Sequence, residues 1–122
     1  MKIRDQINAF LGKDTEFDGK LAFKGSVRID GRFTGEIHAE GVLIAGDSAI
    51  IRSDIHASQV IVSGEVSGNI TAADRVEIHA PGKVFGNIHA PIVVIDEGVI
   101  FEGNCRVQKM DKEKEIKLVA VS

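Results

Sequence analysis

Histidine is the residue type in this chain best suited to metal binding or proton transfer, and three of its four copies occupy the same place in a short phrase that recurs every 15 to 18 residues. The phrase reads "EIHA", "DIHA" and "NIHA", and a further copy, "NITA", has threonine at the same place. The residues at that place are His38, His56, Thr71 and His89. If successive copies form neighbouring strands about 4.8 Å apart, a single metal ion could bridge His38 and His56.

A solvent-exposed ladder of polar residues explains the same column without any chemistry. A zinc site needs three or four convergent ligands, which further hydrogen bonds hold in place. The row beside the histidines mixes charges with amides: Lys20, Glu36, Asp54, Asn69, Asn87 and Asn104. His79 lies in a different segment and joins no such group. No Ser–His–Asp order, phosphate-binding glycine loop or carboxylate pair stands out, so we expect a surface ladder, no metal, no cofactor and no catalysis.

The histidine phrase belongs to a longer unit that occurs six times. The copies are "FDGKLAF" (17–23), "FTGEIHA" (33–39), "IRSDIHA" (51–57), "VSGNITA" (66–72), "VFGNIHA" (84–90) and "FEGNCRV" (101–107), and they start 16, 18, 15, 18 and 17 residues apart. Apolar residues at every second place indicate strands rather than helices. Glycine in the third place of five copies indicates a bend or a close approach of neighbouring chains.

A unit of 15 to 18 residues is too short for a strand and a helix, but it suits one coil of a β-solenoid. One coil cannot bury its own apolar side, because ordering each residue costs about 1–2 kcal/mol. Burying an aliphatic side chain returns only about 1.5–3 kcal/mol. Stacking against a coil on each side buries more apolar surface per coil, and this makes the folded state stable. We therefore predict an all-β fold, a parallel β-helix of about six coils over residues 17–107, with Cys105 in an inward row.

Each interval between copies carries a second, shorter strand. The inward pairs predicted for it are Val27/Ile29, Val42/Ile44, Val60/Val62, Val76/Ile78 and Val93/Ile95. The residues between the members of each pair then point outward: Arg28, Leu43, Ile61, Glu77 and Val94. Leu43, Ile61 and Val94 are candidates for a lateral contact or for cover by a tail. Scattered exposed aliphatics are an equal alternative, because Glu77 interrupts the stripe.

The composition limits the class of protein. A chain of 122 residues suits one domain, and its net charge of −3 and pI near 5.8, without Trp or Tyr, argue against a nucleic-acid surface. The single cysteine excludes an internal disulfide and fits a reducing compartment. The N-terminus lacks the apolar core of a secretory signal, and no apolar run reaches the roughly 18 residues of a membrane span. We expect a cytoplasmic protein.

The end coils are apolar where most repeat proteins have polar caps. The first copy has Phe17, Leu21 and Phe23 in the core rows, and the last has Phe101, Cys105 and Val107. An unpaired strand edge templates further pairing. Identical ends of this kind produce filaments. These six residues are the predicted polymer interface, unless the flanking segments cover them.

The flanks are residues 1–16 and 108–122. In the N-terminal flank, Ile3, Ile7, Phe10 and Leu11 have the spacing of one helix face. That segment could be a helix that caps the solenoid, an interfacial membrane anchor, or a tail that binds a partner or lacks fixed structure. A weak anchor would gain avidity from polymerisation. The C-terminal flank is a charge run followed by "IKLVAV", which could cap the last coil or remain loose.

The order "FDGKLAF", "RIDGRFTGEI", "VIVSGEVSGNI" and "IFEGNC" resembles a bactofilin over roughly residues 11–108. The resemblance implies a right-handed β-helix that assembles end to end, without nucleotide, into filaments that have no direction. It implies a bacterial cytoskeletal protein at the inner face of the cytoplasmic membrane that helps to localise cell-wall enzymes. Phe101 matches the last-coil aromatic that matters for assembly in the family. The apolar N-terminal segment matches the one that binds membrane in some members.

Two other functions compete with a structural polymer. A β-helix that does not polymerise could dock a division or cell-wall protein, and flanks that cover both ends would favour it. A hexapeptide-repeat enzyme, either an acyltransferase or a zinc carbonic anhydrase, has strict 18-residue coils and histidines at trimer interfaces. Coils of 15, 16 and 17 residues break that regularity and spoil the geometry of a three-ligand metal site.

Overall fold

The computed structural model describes residues 9–107, and within that range the regular elements are all β-strands. They are β1 (Ala9–Leu11), β2 (Glu16–Ile29), β3 (Arg32–Ala45), β4 (Ile50–Val62), β5 (Glu65–Ile78), β6 (Lys83–Ala90), β7 (Val93–Ile95) and β8 (Ile100–Val107). Nothing in residues 9–107 forms a helix long and apolar enough to cross a membrane. The predicted C-terminal flank lies outside the described residues.

The strands stack as parallel neighbours in the order β1, β2, β3, β4, β5, β6, β8, and β7 pairs with β5. The six copies of the repeat align as the sequence predicts: Phe17, Phe33, Ile51, Val66, Val84 and Phe101 are successive register partners. A chain that returns to the same register in each rung, always parallel, is a β-solenoid. This part of the fold prediction is confirmed.

The core is the inside of the coil. Burial alternates along each strand, as in β4, where the inward Ile51, Ile55 and Val60 are fully buried and the intervening Arg52 and Asp54 are exposed. Each inward side chain packs against the equivalent side chains of the rungs above and below. The interior rungs are therefore closed on both sides.

The glycines in the third place of the repeat bring the rungs together. Gly35, Gly68, Gly86 and Gly103 have φ between 134° and 142°, a region that side-chain-bearing residues rarely adopt. A Cβ on any of them would overlap the backbone carbonyl oxygen of the preceding rung. The predicted close approach of neighbouring chains is therefore present. Ser53 takes the glycine's place in β4, and its buried hydroxyl has no hydrogen-bond partner within residues 9–107.

The predicted inward pair Val42/Ile44 is wrong. β3 follows β2 with a constant offset, so Leu43 lies opposite Val27 and Ala45 lies opposite Ile29. Leu43 is therefore fully buried, and it cannot take part in the lateral contact predicted for it. Ile44 occupies the outward place between Arg28 and Ile61.

The helix predicted for the N-terminal flank does not extend to Phe10 and Leu11, because both lie in β1. This short strand pairs with Val27–Ile29, so the sheet begins ahead of the predicted boundary at residue 17. Leu11 is half-buried against the core, whereas Phe10 is 59% exposed. The hydrogen bonds from Asp30 N to Leu11 O and from Arg32 N to Thr15 O continue the stacking through the turn. Ile3 and Ile7 lie outside the described residues.

Candidate self-assembly surfaces

The N-terminal end of the solenoid presents an open strand edge. β1 covers only Val27–Ile29, so residues 16–24 of β2 have no strand on their outer side among the described residues. The ring of Phe17 stacks on Phe33 with centroids 5.1 Å apart, and its outer face leaves it 36% exposed. Leu21 and Phe23 are half-buried against the core. The three predicted N-terminal interface residues lie together on this edge.

The C-terminal end is open in the same way. Within the described residues, β8 pairs only with β6, and β7 pairs only with β5. Phe101 and Val107 are half-buried, and Ile100 beside them is 46% exposed. Cys105 occupies the aliphatic row as predicted, but its side chain is exposed because no described rung covers it. Partial desolvation raises the pKa of the Cys105 thiol, which makes it a weaker nucleophile at neutral pH.

The glycine row gives the two ends different shapes. The missing Cβ of each inner glycine points toward the preceding rung. At Gly19, which has φ of 142°, that place is open apart from the Phe17 ring at 3.7 Å. The N-terminal edge therefore has a notch where a further backbone could approach closely.

An amide ladder runs along the outside of the later coils. The Nδ2 group of Asn104 donates to Oδ1 of Asn87, Asn87 donates to Asn69 at 2.9 Å, and Asn69 donates to Asp54. From the sequence alone, these residues form only a mixed polar row. Three asparagines at equivalent places in consecutive copies were the available signal. Stacked side-chain amides of this kind hold neighbouring rungs in register.

The histidine column lies on the surface, as predicted. His38 and His56 stack with ring centroids 5.1 Å apart and an interplanar angle of 7°, and His38 also contacts Glu36 at 3.4 Å. An open groove of about 780 Å³ runs past both rings, and its lining mixes alanines with charged and polar residues. The described residues contain no group of three His, Cys, Asp or Glu side chains that could hold a metal ion. The arrangement is a stacked pair in a shallow groove.

His79 has partners, contrary to the sequence-based interpretation. Its Nδ1 lies 2.8 Å from Asp96 and its Nε2 lies 3.0 Å from Glu77. These two hydrogen bonds, the one to Asp96 first, raise the pKa of His79 above its ordinary value. Glu77 also accepts a hydrogen bond from Arg75 at 3.1 Å. Because Asp96 belongs to the following coil, the cluster ties two rungs together. Sequence reasoning missed it because the contact depends on two turns lying side by side.

The outer face of the short strand carries one residue per rung. In order of rungs these are Phe10, Arg28, Ile44, Ile61, Glu77 and Val94. Val94 is 38% exposed and Ile44 and Ile61 are half-exposed. Arg28 is paired with Asp30 at 3.0 Å. Two of the three predicted lateral residues, Ile61 and Val94, therefore lie on one face, and Ile44 replaces Leu43.

A parallel solenoid with two open apolar ends belongs to the class of repeat proteins whose ends can accept further rungs. The family model for bactofilins, described as polymer-forming cytoskeletal, matches residues 9–106. The chain belongs to the bactofilin family.

Individual relatives agree with this assignment. The chain is 33% identical to bactofilin BacO of Myxococcus xanthus over 97 residues, which is 80% of this chain and 77% of BacO. It is 34% identical to BacP of the same organism over 106 residues, which is 87% of this chain but only 43% of BacP. The chain therefore spans less than half the length of BacP.

Two solved structures are similar in fold. One is the cryo-EM reconstruction of Thermus thermophilus bactofilin double helical filaments, with a TM-score of 0.76 and 32% identity over 80% of this chain and 96% of that one. The other is the solid-state NMR structure of the cytoskeletal bactofilin BacA, with a TM-score of 0.72 and 26% identity over 80% of this chain and 93% of that one.

Proposed function

We propose that this chain assembles end to end, without nucleotide, into filaments through the open edges of its first and last coils. One observation carries the proposal: both terminal rungs keep core side chains in the core rows. Phe17 at one end and Phe101 at the other stand in the same row as the fully buried Phe33. A rung of this kind leaves apolar side chains and backbone hydrogen-bonding groups unsatisfied until another strand covers them.

The assembly needs no bound cofactor on this account. The contact uses the same forces as the stacking inside the solenoid, because the backbone hydrogen-bonding groups and apolar side chains of one open edge meet those of the edge of the next molecule. The solved relative from Thermus thermophilus forms double helical filaments, which supports the same behaviour for this chain. The family resemblance supports filaments without direction, in which like ends meet.

We also propose a cellular role, which the family resemblance supports. We place the filaments in the cytoplasm at the inner face of the cytoplasmic membrane, where they scaffold proteins that build or remodel the cell wall. Ile3 and Ile7 are the membrane contacts in this proposal, because Leu11 packs on the core and Phe10 lies on the outer face of the sheet. Each contact is weak, and a filament supplies the avidity.

Replacing Phe101 with arginine tests the end contact. An unpaired charge at a coil–coil junction should cost about 3–5 kcal/mol and leave monomers or dimers. The matched control is Phe85→Arg, because Phe85 is an outward residue of an inner coil and its equivalent in β4 is Arg52. Ultracentrifugal pelleting and negative-stain microscopy without nucleotide measure assembly, and circular dichroism confirms the fold. Wild-type pelleting of a folded Phe101→Arg variant would refute end stacking.

The membrane contact has a separate test. The variant Ile3→Glu/Ile7→Glu should still form filaments but should lose flotation with vesicles of phosphatidylglycerol and phosphatidylethanolamine. Unchanged flotation would remove the N-terminal segment from the membrane contact and leave the filament proposal intact. A protein that stays monomeric at high concentration, with both end coils folded, would instead favour a β-helix that docks other proteins without polymerising.

A further inference from the structure

The outer face of the shorter segments between the repeat copies carries a regular series of apolar and charged residues that do not contribute to the core. We call Phe10, Arg28, Ile44, Ile61, Glu77 and Val94 the pairing stripe. Each is the register partner of the next, so the stripe contains one outward residue from each of six consecutive rungs. With rungs about 4.8 Å apart, it is about 24 Å long.

The stripe is palindromic in chemistry. Read from its first rung, it is apolar, positive, apolar, apolar, negative, apolar. Read from the last rung, it is the same sequence with the two charges exchanged. The charge that interrupts the aliphatic stripe at Glu77 therefore has a counterpart of opposite sign, Arg28, at the mirror-image position.

We propose that the pairing stripe binds the same stripe of a second copy, with the two solenoid axes antiparallel. The two-fold axis lies in the interface, along the strands, between the rungs of Ile44 and Ile61. This rotation reverses the order of rungs and keeps the direction of the strands. It places Ile44 on Ile61, Arg28 on Glu77 and Phe10 on Val94 of the second copy, and each contact occurs twice.

The neighbouring outward positions agree with this register. Two residues further along the strand, Asp30 in the Arg28 rung faces His79 in the Glu77 rung of the second copy. Asp30 already accepts a hydrogen bond from Arg28, and His79 already contacts Glu77. The interface thus joins two existing pairs of opposite charge into a four-residue group.

Other registers fail on charge. If the two-fold axis runs along the solenoid, each rung faces its own copy, so Arg28 meets Arg28 and Glu77 meets Glu77. If the axis moves by one rung or half a rung in either direction, Arg28 or Glu77 faces an isoleucine and loses its counter-charge. Like charges and unpaired charges both disfavour an interface. The proposed register is the one in which every stripe residue meets a residue of matching character.

The size of the surface determines when the pairing occurs. Three outward columns about 6.6 Å apart make the contact about 13 Å wide, so each copy buries about 300 Å². A stable dimer of globular proteins buries about 800 Å² per partner. Two free molecules would therefore pair weakly, whereas two filaments repeat the contact along their length. In that respect the inference rests on the proposed filament function.

Charge exchange tests the register. Arg28→Glu alone and Glu77→Arg alone each place like charges opposite one another twice, and each should lower the ratio of paired to single filaments about tenfold or more. The double variant Arg28→Glu/Glu77→Arg restores opposite charges across the interface and should recover pairing. Within each molecule Arg28 is paired with Asp30 and Glu77 with Arg75, and Asp30 and Arg75 are unchanged in all variants. Destabilisation within a molecule would therefore be larger in the double variant than in either single variant, whereas repulsion across the interface would disappear.

Negative-stain microscopy counts paired and single filaments, and high-speed pelleting measures end-to-end assembly independently. Recovery of pairing in the double variant, with wild-type pelleting throughout, is the expected result. A double variant as poorly paired as the single ones, or filaments whose pairing no variant changes, would overturn the stripe while leaving the end-to-end function standing.

A cross-linking experiment covers the case in which no filaments form. In a Cys105→Ser background, a mixture of Phe10→Cys and Val94→Cys proteins should give a heterodimer with a short bis-maleimide. Each protein alone should give at least about fivefold less product, because like positions lie five rungs, or about 24 Å, apart in the two copies. Equal cross-linking of the separate and mixed proteins would contradict the register, and absence of both filaments and cross-links would contradict both proposals.

Discussion

The glycines in the third place of each repeat show how a single residue sets the spacing of rungs. At Gly35 the backbone approaches the carbonyl of Gly19 so closely that no Cβ fits between them. The same contact recurs at Gly68, Gly86 and Gly103. Two effects act at these positions, the positive φ and the missing space, and the two can be separated because Gly19 has only the first.

Replacing Gly35 with alanine should therefore destabilise the monomer by more than about 3 kcal/mol, because strain and steric overlap with a fixed backbone add. The matched control is Gly19→Ala, whose φ of 142° is close to the 134° of Gly35 but whose methyl group would have open space. Its cost should be limited to backbone strain, about 1–3 kcal/mol. Urea unfolding at low protein concentration measures both, and equal losses would show that φ alone sets the cost.

His79 makes the junction between two later coils sensitive to pH. Its hydrogen bonds to Asp96 and Glu77 raise its pKa in the folded protein above the value of about 6.5 expected in the unfolded chain. A raised pKa means that the protonated form stabilises the fold below pH 6.5, and this contribution disappears as pH rises through the folded-state pKa. The effect is modest, because the side chain is 38% exposed.

The melting temperature should therefore fall between pH 6 and pH 8 by more in the wild-type protein than in His79→Gln, because the glutamine side chain does not titrate. Thermal unfolding monitored by circular dichroism at both pH values gives the two differences. An NMR titration of the His79 ring should locate its pKa above 6.5. Identical pH dependence in the two proteins would show that His79 does not couple to folding.

At the level of strands, the sequence predicts the inward residues of the six repeat copies and of four of the five shorter segments between them, and the exception lies in β3. In the repeat copy at residues 33–39 of β3, polar or charged residues separate Phe33, the glycine and Ile37, so alternation shows which residues point inward. In the later part of β3, Val42, Leu43 and Ile44 are all apolar, so alternation cannot decide which of them point inward. The constant offset from β2 decides it. That offset is a property of two paired strands rather than of one.

Truncating an inward aliphatic side chain to alanine should lower the free energy of unfolding by an amount that depends on the position of its rung in the stack. Ile55→Ala empties a fully buried place between two rungs and should cost about 2–5 kcal/mol. Leu21 occupies the same row in the first rung, where it is half-buried, so Leu21→Ala should cost about 1–2 kcal/mol in the monomer. Chemical denaturation at low concentration measures both values. Equal costs would mean that the first rung is as well covered as the fourth strand.

For the molecule as a whole, the sequence predicts which repeat copies form the two ends of the solenoid, but it predicts neither β1 nor the pairing stripe. Phe17 and Phe101 could be placed at the ends because they stand in the first and last copies of a counted repeat. Strand β1 could not be predicted, because the spacing of Phe10 and Leu11 also suits a helix face and the pairing of β1 with Val27–Ile29 is not local. The pairing stripe also required the observed register, since the sequence placed Leu43 where Ile44 lies.

End-to-end assembly should make the stability of the molecule depend on its concentration, because the contact binds folded protein and not the unfolded chain. Each tenfold rise in concentration above the dissociation constant adds about 1.4 kcal/mol per contact. For a domain of about 100 residues this raises the melting temperature by several degrees.

Reversible scanning calorimetry over two decades of concentration should show this rise in the wild-type protein and in Phe85→Arg. Phe101→Arg should lose about half of it, because one of its two ends no longer accepts a further rung. A melting temperature that stays constant in the wild-type protein would mean that the open edges seen at both ends of the solenoid are not contacts between molecules.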